Sequence, residues 1–124
     1  MSTIYDALFI FFAMAAGHAL ADFPLQGRFL SFAKNRHADL SSFFPNETPP
    51  RHVWVHALSC HALIHAAFVG LITGSVIFAA AELILHWLID YAKCEGWTGF
   101  HTDQLLHYLC KAAYATLLLQ GIGL

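Results

Sequence analysis

Hydrophobic residues run along this chain in four long blocks separated by polar segments. The blocks cover about residues 4–23, 53–72, 75–91 and 105–124, and the first contains an unbroken apolar run over residues 7–16. Each approaches the roughly 20 residues that carry a helix across a bilayer. Transmembrane β-barrels are built from short alternating strands, so continuous runs predict helices instead. The expected fold is all-α: a polytopic membrane protein with a four-transmembrane-helix bundle in a single domain over residues 1–124. Two longer loops connect it, at about 24–52 and 92–104. The first holds Pro45, Asn46, Pro49 and Pro50, which predict turns. Within it, residues 28–35 predict a short interfacial helix with Phe29, Leu30 and Phe32 toward lipid. Thr73 and Gly74 mark a tight helical hairpin.

Composition points the same way. The chain is 58% hydrophobic and 11% charged, with mean hydropathy +0.58. An ordinary soluble domain is about 25% charged, and a body of 124 residues needs much polar surface to stay in water. A lipid bilayer is therefore the expected partner. Net charge is −2 and no basic run occurs, which excludes a nucleic-acid surface. Cys60, Cys94 and Cys110 form neither a disulfide framework nor a CxxC knuckle. They read as free thiols, with Cys60 and Cys110 packed in apolar helices.

Charge also orients the bundle. Arg28, Lys34, Arg36, Arg51 and Lys93 all fall in the first and third connections, and Lys111 lies inside the fourth block. The positive-inside rule puts those connections in the cytoplasm and both termini outside. No Lys or Arg precedes Arg28, so the first block reads as a span rather than a cleaved leader.

Polar residues inside the blocks recur at one spacing. His18 and Asp22, His61 and His65, His86 and Asp90, and Asp103 and His107 are each four apart, as are His52 and His56 at the entry to the second block. Residues four apart share a helix face. Random placement of the His and Asp residues gives about one or two such pairs, whereas five occur. The four block pairs fall at the cytoplasmic ends, where they can meet in one bundle. An Asp within a spanning helix costs about 2.5–3.5 kcal/mol at mid-membrane and less near the interface, so several need compensation. Neutral imidazole cannot cancel carboxylate charge, but a divalent cation can. Imidazole with carboxylate suits zinc, and also manganese or iron. His18, Asp22, His61, His65, His86, Asp90, Asp103 and His107 are the candidate ligands. Their surplus over one coordination sphere leaves room for a second metal or for orienting partners. Two other readings stay open. The pairs can act as hydrogen-bonding glue between helices, and Glu82 and Lys111 can answer each other across the bundle. His37 and His101 read as plain loop residues.

These residues resemble the DUF3307 family of small bacterial and phage membrane proteins. The likeness rests on Gly17-His18-x3-Asp22-Phe23-x2-Gln26, His61-x3-His65, His86-x3-Asp90-x2-Lys93 and Asp103-Gln104-x2-His107. It implies a bacterial membrane protein with no settled activity; with the charge pattern, the expected place is the inner membrane, multi-pass, with the termini on the periplasmic side. A looser likeness to membrane-bound metal-dependent hydrolases implies hydrolytic chemistry at the cluster. In that reading Asp90 or Asp103 is the general base, and Gln26, Lys93 and Gln104 hold a phosphate or carbonyl oxygen. The rival functions are a proton or metal-ion carrier and a non-catalytic partner of another membrane protein, with lipid or membrane protein as the partner. Nothing in the pattern selects an oligomeric state.

Overall fold

A computed structural model describes residues 3–123, all of it helix, turn and loop, with no strand among the described residues. The helices are α1 (Ile4–Asp22), α2 (Gly27–Ala33), α3 (Val53–Thr73), α4 (Val76–Cys94) and α5 (Phe100–Leu119). A single 3-10 turn, Ser41–Phe43, interrupts the long loop.

Local chemistry sets the helix ends. The Thr3 hydroxyl accepts from the Asp6 N–H, and the Asp6 carboxylate accepts from the Thr3 N–H, a reciprocal cap that starts α1. At the hairpin, Gly74 turns left-handed (φ 68°) and returns its N–H to Gly70 O at 2.8 Å. The Ser75 hydroxyl then accepts from the Phe78 N–H and opens α4. α5 begins after Gly99 and ends at Leu119, followed by left-handed Gly121. The expected fourth span, 105–124, is therefore displaced by five residues. An apolar block marks what faces lipid, whereas the helix continues as far as its backbone bonds do, and its first turn carries the inward-facing Asp103.

α1, α3, α4 and α5 form a closed ring in which α1 packs on α3 and α5, and α4 packs on the same two. α2 rests on α3, held by a small cluster of Ala33, Leu40 and Ala57. Close approach needs small residues: a Cβ at Gly17 would stand 3.1 Å from the Phe68 ring. One end of the ring is filled by Met14, Val69, Phe78, Tyr114, Ala115 and Leu118. The other end is filled by polar side chains.

The outside of the ring is apolar. Phe9, Phe12, Leu63, Ile84, Leu105 and Leu109 are all exposed. α1 and α3 are long and apolar enough to cross a membrane. α4 and α5 match them in length but carry Glu82, Asp90, Lys93, Asp103 and Lys111. Cys60, expected to pack, is exposed, and no cysteine is in a disulfide.

Candidate metal centre

The 3.6-residue period places one polar stripe on each ring helix. α1 turns Gly17, His18 and Ala21 inward, and Asp22 follows one turn after His18. α3 turns in His61 and His65. α4 carries a column of Glu82, His86 and Asp90, and α5 carries Asp103, His107 and Lys111. Apart from Asp22, whose side chain keeps 13% of its surface exposed, all of these are buried.

The imidazoles pack against one another. The His65 and His86 rings stack with centroids 3.7 Å apart, and the His86 and His107 rings stack at 4.1 Å. His18 lies 4.9 Å from His65 and 5.0 Å from His107, and His61 lies 4.7 Å from His65.

Three aspartates surround the rings, and their partners differ. Asp90 Oδ2 takes the Lys34 ammonium at 2.6 Å, while its Oδ1 accepts from His107 Nε2 at 3.1 Å. Asp103 Oδ2 takes Lys93 at 3.1 Å, and its Oδ1 lies 3.5 Å from His107 Nε2 with no hydrogen-bond partner. Asp22 has no lysine beside it among the described residues. It is met by His65 Nε2 at 3.0 Å, His18 Nε2 at 3.2 Å, His61 Nε2 at 3.4 Å and the Gln104 amide at 2.9 Å. Three carboxylates thus face two ammonium groups, and the unanswered negative charge sits on Asp22.

Where His65 and His107 present Nε2 to a carboxylate, His86 presents Nδ1. Glu82 forms an ion pair with Lys111 at 2.8 Å and also accepts from His86 Nδ1 at 3.2 Å. With the Nδ1 proton committed to a carboxylate, His86 Nε2 carries a lone pair. That atom is buried and has no hydrogen-bond partner. His61 is fully buried with neither ring nitrogen bonded, and His18 and His65 each leave Nδ1 unpaired. An unpaired buried polar atom costs about 1–3 kcal/mol, so several of them among these packed rings call for a partner.

A divalent cation fits. Asp22, His61, His65 and His86 each offer a ligand atom, all within 4.8 Å of one another. Zinc held by nitrogen and oxygen at about 2.0–2.1 Å sets tetrahedral ligand atoms about 3.3 Å apart. The 3.0 and 3.4 Å separations of His65 and His61 from Asp22 bracket that value. His18, His86 and His107 form a second group of this kind, and Asp90, Asp103 and His107 a third.

All eight candidate ligands lie in this cluster. Gln104 bridges Asp22 and Asp103 and accepts from His18 Nε2. Lys93, at the rim, engages Asp103. Gln26, at the start of α2, is half-buried with Oε1 unpaired. His52 and His56, the remaining i, i+4 pair, are exposed and lie outside the cluster. His37 accompanies Arg36 on Glu95, and His101 is exposed.

Lys34, which the sequence offers as a basic residue of the expected interfacial helix and an orienting loop charge, is buried on Asp90. A signal for it exists: Leu30, Ala33 and Lys34 share one face of α2, and that face packs inward.

No curated protein and no solved structure matches the chain. The family model of proteins of unknown function DUF3307 matches residues 10–122, a stretch that contains every residue of the cluster. The chain belongs to the DUF3307 family.

Proposed function

We propose that this is a four-span membrane protein that holds one divalent cation, zinc in first place and manganese or iron in second, near the cytoplasmic interface. Asp22, His61, His65 and His86 bind it. The observation that carries this reading is the buried, unpaired His86 Nε2, on a residue grouped within 4.8 Å of His61, His65 and Asp22, the one cluster carboxylate without a lysine.

Where the charges point supports four spans. Every ionic side chain of α4 and α5 within the ring faces another across it, so the lipid-facing surface remains apolar. At 19 and 20 residues, these helices reach about 28–30 Å, the thickness of a bilayer core. Trp54, Trp87, Tyr91 and Trp97 form a chain of ring contacts at the polar end, as an interfacial aromatic belt would. With that end cytoplasmic, both termini lie on the far side of a bacterial inner membrane.

The chemistry best matched to such a centre is hydrolysis of a substrate that reaches the interface. The cation would supply Lewis acidity and a lowered water pKa. Asp90 has both oxygens engaged and orients His107. Asp103 keeps Oδ1 free and is the better general base. Lys93 and Gln26, at the rim, would hold a phosphate or carbonyl oxygen of the substrate, and Gln104 would hold Asp22 in place. Against a carrier stands the apolar end of the ring, where the polar column stops at Lys111 below Tyr114 and Leu118.

Elemental analysis of protein purified in detergent without chelators tests the reading. One tightly held divalent ion per chain is expected, lost in His86→Ala and Asp22→Asn and kept in His37→Ala. A folded, metal-free wild type would sink it. The cluster would then be structural glue, with Asp22 held by hydrogen bonds alone.

A further inference from the structure

The third ligand group differs from the first in what already occupies it. Asp90 Oδ1, Asp103 Oδ1 and His107 Nε2 face one another, with His107 Nε2 3.1 and 3.5 Å from the two carboxylate oxygens. All three residues are buried, and Asp103 is fully so. Asp103 Oδ1 has no hydrogen-bond partner and aims at this point. The opposite oxygens of both aspartates are taken by ammonium groups, Lys34 at 2.6 Å and Lys93 at 3.1 Å. The donor set is that of a divalent-metal site, with its charge already balanced by two lysines.

We infer that Asp90, Asp103 and His107 form a second divalent-metal site, which Lys34 and Lys93 hold closed as built-in cations. The inference rests on the single-metal reading above and deepens it. Two carboxylates against two ammoniums are neutral, and a dication added to that set would leave an excess of two positive charges in a buried place. Remove the lysines and the same atoms carry two negative charges around three donors. A cation entering there would bind the Nε2 lone pair of His107, with the ring proton moving to Nδ1 or, from the imidazolium, released to water.

The two lysines are not equivalent. Lys93 belongs to α4, the same helix as Asp90. Lys34 arrives from the covering segment, fifty-six residues away in the chain. That segment is fastened beside it by Arg36 and His37 on Glu95. Lys34 is therefore the cation that the fold can withdraw: lifting the segment would free Asp90 without disturbing the ring. The number of metals held is thereby coupled to the position of the cover.

The test is metal stoichiometry by equilibrium dialysis against Zn2+ alone, on the full chain in detergent. Wild type should hold one ion, and Lys34→Met/Lys93→Met should hold two. Lys34→Arg/Lys93→Arg, which keeps the charge, should hold one. Adding Asp90→Asn to the methionine pair should return the count to one. One ion in the folded methionine variant would overturn the second site. Two in wild type would overturn its closure by lysine. None in wild type would overturn the first site, and this one with it. Should the methionine pair fail to fold, Lys34→Met alone reads the same quantity: a second, weaker equivalent supports the proposal, and a single equivalent overturns it.

Discussion

Two buried ionic regions lie one helical turn apart in this ring, and they are resolved differently. Glu82 and Lys111 face each other at 2.8 Å across α4 and α5, and both are buried. The charges cancel, and the second use of Glu82 is to hold His86 Nδ1. One turn closer to the polar end, three aspartates meet two lysines and five imidazoles, and several ring nitrogens have no partner. In the first region each charged group has its partner, and only the Tyr114 hydroxyl near Glu82 is left without one. The second is complete only with something added. Burial and charge alone do not separate a structural pair from a site. What separates them is whether the charged groups are all answered.

The largest expected effect breaks the paired region. Lys111→Met leaves Glu82 ionised and unpaired inside the ring and should destabilise the fold by about 3–5 kcal/mol. Unfolding in detergent, followed by loss of helix signal, measures it. Stability equal to wild type would mean that the pair contributes no more than two apolar side chains would.

How much of this was legible beforehand follows from the kind of contact. His86 and Asp90, or Asp103 and His107, are neighbours through helix geometry alone, so spacing of four was enough to find them. Their meeting across helices was legible because all four pairs sit at the same depth. Glu82 with Lys111 was readable too, as one acid and one base each a turn beyond a cluster histidine. The start of α5 was not, because hydropathy registers Leu105 onward while Phe100–Thr102 present polar and aromatic groups to the outside. Lys34 was hidden for a different reason. The face it shares with Leu30 and Ala33 marks it as inward, but its contact with Asp90 depends on how a loop of some thirty residues folds back over α3, which that spacing does not encode.

A smaller effect sharpens the comparison by removing the paired region as a whole. In Glu82→Met/Lys111→Met both charges go together, so most of the stability lost in Lys111→Met should return. His86 nevertheless loses the acceptor that fixes its tautomer. Metal affinity should fall by about 10–100-fold, the usual consequence of deleting the group behind a ligating imidazole. Competition with a chromophoric chelator reads that change. Full affinity in the stable double variant would show that His86 is held by packing alone, and the two regions would then be independent of each other.

The smallest effect lies outside the ring, where the cover is fastened. The Arg36 guanidinium donates to Glu95 at 2.5 and 2.9 Å, and His37 approaches it at 3.3 Å. Chiefly through Arg36, the Glu95 carboxyl is held down at about 2 from its ordinary 4.5. A carboxyl whose folded value is depressed contributes fully above its unfolded value and is lost as pH falls through the folded one. The fastening should therefore hold at neutral pH and weaken between about 4.5 and about 2. Being exposed, the Arg36 side of the pair is screened by salt, so the change should be small and confined to the segment around Arg36 and His37. Limited proteolysis with an acid-active protease, comparing wild type with Glu95→Gln, isolates it from the other carboxylates. Wild type should approach the cleavage rate of Glu95→Gln as pH drops through that window. Equal rates at pH 6 would mean that Lys34 on Asp90 alone secures the cover, placing its only effective fastening inside the metal cluster.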